Sequence, residues 1–137
     1  MTLHLITVCH NTDRGFLPYE PGHALTRVIS HWRHLPTATD PEQSADWAYQ
    51  VFNSDLEHLE TGRAAAEAEA DFLIVCIYRL LRLRSLATGD AITIEGHTTW
   101  LACERVSWRR IDTPANLTGQ SLSASTVYEH LRRGHHA

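Results

Sequence analysis

The chain has 137 residues, enough for one domain with a two-layer core and too few for two ordinary domains. With 43% apolar and 20% charged residues, it does not have the composition of a disordered chain. A formal net charge of −4 excludes an overall basic field that would draw in nucleic acid regardless of sequence.

No Arg or Lys precedes an apolar stretch in residues 1–10, so no secretory signal is expected. The longest near-uniform apolar run, residues 72–78, is far short of the roughly 20 needed to cross a bilayer, and no membrane partner is expected. Cys9, Cys76 and Cys103 are odd in number and widely spaced, which fits reduced thiols and a cytoplasmic location rather than a disulfide framework. All twelve basic residues are Arg, and Ala is abundant. The codon usage of a high-GC genome accounts for both more simply than selection for phosphate binding does.

In chain order, residues 2–10 alternate Leu3, Leu5, Thr7 and Cys9 against His4, Ile6, Val8 and His10, which predicts a first strand. Residues 11–23 hold Asn, Asp, Gly and Pro and predict a long loop, with Phe16, Leu17 and Tyr19 expected to pin it to the core. Residues 24–32, with Leu25, Val28, Ile29 and Trp32, predict a second strand, a short helix being the rival.

Thr39-Asp40-Pro41 starts a helix, since a capping side chain is followed by a ring whose missing N–H costs nothing there. Ala45, Ala48, Phe52, Leu56 and Leu59 then form one apolar stripe, widened by Trp47, Tyr49 and Val51, with Gly62 as the stop. A second helix is expected over residues 63–83. Its stripe is Ala66, Ala70, Leu73, Ile74, Ile77, Leu80 and Leu81, with Arg79 and Arg82 outside; if buried so, Leu73→Ala or Ile77→Ala costs about 2–5 kcal/mol. A strand over residues 72–78 is the rival.

Thr88-Gly89-Asp90 marks a turn before a strand over residues 91–95, where Ile92 and Ile94 share a face. Gly96-His97 marks a second turn. Residues 98–104 and 106–111 complete an antiparallel meander, with Trp100 and Ala102 on one face and Val106 and Trp108 inward. Residues 112–137 read as a polar tail in which Val127, Tyr128 and Leu131 could anchor a short helix. The fold class is therefore α+β: one domain over residues 1–111, with a small, mostly antiparallel sheet and two helices packed on one face.

Charge divides along the chain. Residues 40–71 carry nine acids against Arg63, whereas residues 72–110 carry six arginines against three acids, as expected for two surfaces that attract each other within the fold.

Chemistry-bearing patterns are sparse. His31-x-x-His34 is the only tidy metal-ligand spacing, and in a strand its two rings face opposite ways, so no metal is expected. Cys76 and Cys103 lie in apolar strings and Cys9 sits beside, not opposite, His10, so none is placed as a nucleophile. No catalytic or cofactor motif is present, and no catalytic residue is assigned. Arg79, Arg82 and Arg84, joined by Arg105, Arg109 and Arg110, form the candidate patch for an anion or a nucleic-acid backbone, with Trp100 and Trp108 as stacking surfaces if exposed.

Two segments carry a resemblance. His10-Asn11-Thr12-Asp13, Gly15-Phe16-Leu17 and Tyr19-x-Pro21-Gly22-His23 resemble the start of small proteins of actinobacteria and their phages or plasmids. Arg84-Ser85-Leu86-Ala87-Thr88-Gly89-Asp90, followed by Trp100-Leu101-Ala102-Cys103 and Trp108, resembles the end of YodL-like domains, with Ala87-Thr88 where Ser-Val is commoner. The resemblance implies, by association, an accessory role around mobile elements and no catalytic residues. Physically, residues 85–90 read as a helix stop and turn that set the register of the meander.

The reading of the sequence is a non-enzymatic accessory or regulatory protein that binds another macromolecule, a protein first. The acidic first helix and loop 11–23 are the candidate surfaces, and homo-oligomers remain open. A nucleic-acid-binding module is the alternative, and a small hydrolase or transferase comes third.

Overall fold

A computed structural model describes residues 2–13, 16–36, 39–62, 68–94 and 99–122. Its elements are β1 (Thr2–Asn11), β2 (Leu25–Leu35), α1 (Pro41–Phe52), α2 (Leu56–Thr61), α3 (Ala68–Leu80), β3 (Ala91–Ile94), β4 (Thr99–Cys103), β5 (Trp108–Ile111) and β6 (Leu117–Thr118). The strands form one six-stranded sheet in the order β5-β4-β3-β1-β2-β6, antiparallel at every junction except β2 with β6. The fold is α+β, as the sequence implies. The strand rival for residues 72–78 is not realised, because that run lies in α3.

Strand alternation sorts the sheet side chains into two clusters. Ile6, Val8, Ile92, Ile94 and Leu101 pack with Ala45, Ala48 and Phe52 of α1 and Ile74, Val75 and Tyr78 of α3. The opposite parity, Cys9, Ala91, Trp100 and Ala102, packs with Tyr19 and Leu25. Leu25 and Ile29 are four residues apart in β2 yet enter different clusters. The cause is a bulge: Val8 opposes Ile29 while Cys9 opposes Arg27, so Val28 is an extra residue that reverses the parity.

Helix α1 starts where the sequence places it. Asp40 precedes Pro41, and the Gln43 side chain accepts the Asp40 N–H at 3.1 Å. The stripe from Ala45 to Leu59 does not lie on one helix, however. Asn53 ends α1, and Asp55 opens α2. The Asn53 side chain accepts the Leu86 N–H at 2.8 Å and donates to the Leu86 carbonyl at 3.0 Å, standing in for a strand neighbour. Asn-Ser-Asp supplies turn and capping residues, which override the continuing stripe.

Helix α3 also corrects the sequence reading. Asp71, Ile74, Val75 and Tyr78 face inward, Ile77 is half-buried, and Leu73, Leu80 and Leu81 are exposed. Residues 63–67, where the second helix was expected to begin, lie outside the described residues. In the meander, Trp108 packs on the core and its indole N–H reaches Asp46 at 2.8 Å, but Val106 is 83% exposed in the turn before β5. The Gly96-His97 turn lies outside the described residues.

Residues 112–122 stay on the sheet. Pro114 is buried, Leu117 opposes Leu25, and Leu122 bridges Ile29. Val127, Tyr128 and Leu131 lie outside the described residues. The two charged regions do meet, where Arg110 reaches Glu42 at 3.1 Å, while Asp71 pairs instead with Arg33 of β2 at 2.9 Å.

Candidate functional site

The two segments that carry the resemblance converge on Asp90, which is fully buried. Gly89 turns the chain with φ of +97°, a conformation that glycine adopts without side-chain strain. That turn sets the carboxylate beside the end of β1. Oδ1 accepts the Asn11 N–H at 2.9 Å and Arg84 Nη2 at 2.6 Å; Oδ2 accepts the Ala87 N–H at 2.9 Å and Arg84 Nη1 at 2.6 Å. A buried charge is tolerated only when it is paired and hydrogen-bonded in this way.

Asn11 carries the connection outward. Its carbonyl accepts Arg84 Nη2 at 3.2 Å, and its side-chain N–H groups reach the Gly89 carbonyl and His23 Nδ1, each at 3.2 Å. Its side-chain oxygen accepts the Asp13 N–H at 2.9 Å, the local turn that Asn favours. His23 Nδ1 also accepts the Glu20 N–H at 3.1 Å, so the ring proton sits on Nε2. The Thr12 N–H bonds the Ala24 carbonyl at 2.9 Å and closes the neck of the loop. The described residues between them, 13 and 16–23, belong to a loop whose ends adjoin.

Behind this clasp, Tyr78 donates its hydroxyl proton to the Arg84 carbonyl and accepts from His10 Nε2 at 2.8 Å. Burial is the largest cause holding the His10 pKa below 6.5; Asp90 opposes it and Arg84 adds to it. Burial also raises the Tyr78 hydroxyl above its ordinary range. The pair is a neutral buried strut, and the surface hollows are lined by other residues, such as Leu17, Pro18, Glu20 and His23 or Tyr19, Arg109 and Asp112.

At the loop tip, the expectation for Phe16 and Leu17 is overturned. Of the three expected pins Tyr19 is buried, at 4% exposure, while Phe16 and Leu17 stand 68% and 48% exposed. Phe16 has φ of +68°, costly for a bulky side chain, and its ring lies 5.7 Å from the Arg84 guanidinium carbon. Arg84 therefore joins the buried clasp to the exposed tip. No family model, curated protein or solved structure matches this chain.

The six candidate arginines are divided between several places. Arg79 donates to the Ser54 carbonyl at 2.6 Å and Arg84 serves Asp90. Arg109 bonds Glu104 at 2.6 Å and the Tyr19 carbonyl at 2.5 Å, whereas neighbouring Arg110 points to the other sheet face and meets Glu42. Arg82 and Arg105 are exposed. Arg84 and Arg105 share one end of the sheet; Trp100, offered as a stacking surface, is 3% exposed.

Cys9 and Cys103 are buried thiols whose pKa values burial pushes up to about 12 and about 11, which removes their nucleophilic form at neutral pH. His31 is buried, stacks on Trp47 and bonds Asp71 at 3.2 Å; His34 points to the opposite face. Among the described residues, no three His, Cys, Asp or Glu side chains are grouped to hold a metal, and no helix is long and apolar enough to cross a membrane.

Proposed function

We propose that this chain is a non-enzymatic accessory or regulatory protein of the cytoplasm that binds another protein through the tip of its 12–24 loop. The observation that carries the reading is Phe16. A strained aromatic residue, 68% exposed beside an exposed Leu17, stands on a loop base fixed by buried hydrogen bonds. Aromatic side chains held out on a preorganised backbone lose little conformational freedom on binding and are the usual anchors of protein interfaces. The likeness of residues 84–108 to YodL-like ends adds an accessory role around mobile elements by association alone.

The nucleic-acid reading draws less support, because most of its arginines are occupied by partners within the fold and Arg109 and Arg110 diverge. The test is a nuclease-treated pull-down with the tagged full chain and with Phe16→Ser/Leu17→Ser. The expected result is a protein retained by the native chain and lost by the variant at unchanged thermal stability. Equal retention by both, or nucleic acid as the only retained species, overturns the reading.

A further inference from the structure

Thr93 lies in the middle of the sheet, and strand alternation turns it away from Ile92 and Ile94, which meet α1 and α3. On that second face it stands in one row across four strands: Trp100 opposes Thr93, Thr93 opposes Thr7, and Thr7 opposes Ser30. All four are buried, and Thr93 exposes nothing to water. A sheet face is dry in its middle only under a second layer. Among the described residues, the apolar cluster of this face centres on the next row, Ala102, Ala91 and Cys9, with Tyr19 and Leu25 upon it. On the other side of the row, Leu5 is half-buried and the opposing Trp32 is 55% exposed. Rows on one face are about 7 Å apart and a helix is about 10 Å across, so a cover one helix wide accounts for both the dry row and the wet flank.

We infer that this cover is the chain's own C-terminal segment, residues 123–137, docked as a short helix across the row. The place where the described chain ends selects it. Thr7 Oγ1 and Ser30 Oγ are 2.7 Å apart, Ser30 Oγ donates to Ser121 Oγ at 2.6 Å, and the Ser30 N–H bonds the Leu122 carbonyl at 2.7 Å. Residue 123 therefore starts at the end of the buried row. The sequence that follows suits the position. Thr126-x-x-Glu129 has the spacing of a helix start and Gly134 that of a stop, while Val127, Tyr128 and Leu131 fall within about 100° of helix arc, with Glu129 and Arg133 opposite. A helix over residues 126–133 is about 12 Å long, against about 14 Å from β2 across β1 and β3 to β4. A tethered segment acts at an effective concentration in the millimolar range, which a second copy in micromolar solution does not match. The polar tail of the sequence reading thereby becomes the second layer of the sheet.

The test is nuclear Overhauser spectroscopy on the isotope-labelled full chain, with limited trypsin digestion in parallel. The expected result is a contact, within one molecule, from the Thr93 methyl or the Trp100 indole to the Tyr128 or Leu131 side chain. Trypsin is expected to cut after Arg132 and Arg133 about tenfold faster in Tyr128→Ser/Leu131→Ser than in the native chain, because the undocked segment is open to the protease. Contacts seen only between differently labelled copies make a second copy the cover and overturn the inference. So does a native chain in which Thr93 and Trp100 touch nothing in residues 123–137, or equal cutting of native chain and variant. If the double variant does not fold, the native contacts decide alone: their presence within one molecule supports the inference, and their absence overturns it.

Discussion

Arg84 grips Asp90 at two points, each guanidinium nitrogen 2.6 Å from a different carboxylate oxygen, with the carboxylate fully buried and the arginine side chain one-third exposed. The pair closes a short segment, 84–90, onto itself and onto the end of β1, and so fixes the base of the loop that presents Phe16. Removing the arginine leaves a buried, unpaired carboxylate. Arg84→Ala is expected to lower unfolding free energy by about 3 kcal/mol, read by urea titration, and Arg84→Lys to recover only part of it because one ammonium cannot span both oxygens. An unchanged midpoint for Arg84→Ala contradicts this account of the clasp.

His10 gives the fold a pH dependence whose sign follows from its lowered pKa. The unfolded chain takes up a proton near pH 6.5, whereas the folded chain resists it until lower pH. Stability is therefore unaffected by this group above that range and declines as pH falls below it, by at most about 1.4 kcal/mol per pH unit. His10→Gln is expected to flatten the decline between about pH 6.5 and 5 relative to the native chain, since the amide does not titrate. Parallel slopes for the two proteins would show that His10 does not carry the effect.

The orientation of α3 and of the β4–β5 turn is tested by two truncations. Ile74 is fully buried, and Ile74→Ala is expected to cost about 2–5 kcal/mol. Val106 is 83% exposed, and Val106→Ala is expected to change stability by less than about 0.5 kcal/mol. The reverse ranking in thermal melts contradicts the packing described.

These two residues also show where the sequence is legible. Strands β1 to β5 are readable because alternation, β-branching and turn residues agree. The start of α1 is readable because Asp40-Pro41 has a local mechanism. Helix α3 is recognisable as a helix but not orientable, since apolar residues on every side leave no single stripe to follow. The break between α1 and α2 has a signal in Asn53-Ser54-Asp55, outweighed in the reading by the stripe that continues through Leu56 and Leu59. For β6, two residues pairing parallel with a distant strand leave no periodic trace. The candidate site is half legible: the segments around Asn11 and Asp90 stand out, but their joining spans 79 residues and belongs to the sheet, not to either segment. Phe16 is misassigned because an aromatic residue in a loop reads as a pin, and of the two aromatic residues expected to pin this loop only Tyr19 is buried.

The most direct measurement is the affinity of the captured protein partner for the native chain, for Phe16→Ala and for Arg82→Ala/Arg105→Ala, by titration calorimetry at low and high salt. The account predicts that Phe16→Ala weakens binding by about 2 kcal/mol, roughly 30-fold, while the double arginine variant binds nearly as the native chain does. Binding that is indifferent to Phe16 but weakened by loss of the arginines and by salt would contradict it, and would place recognition on the exposed arginines.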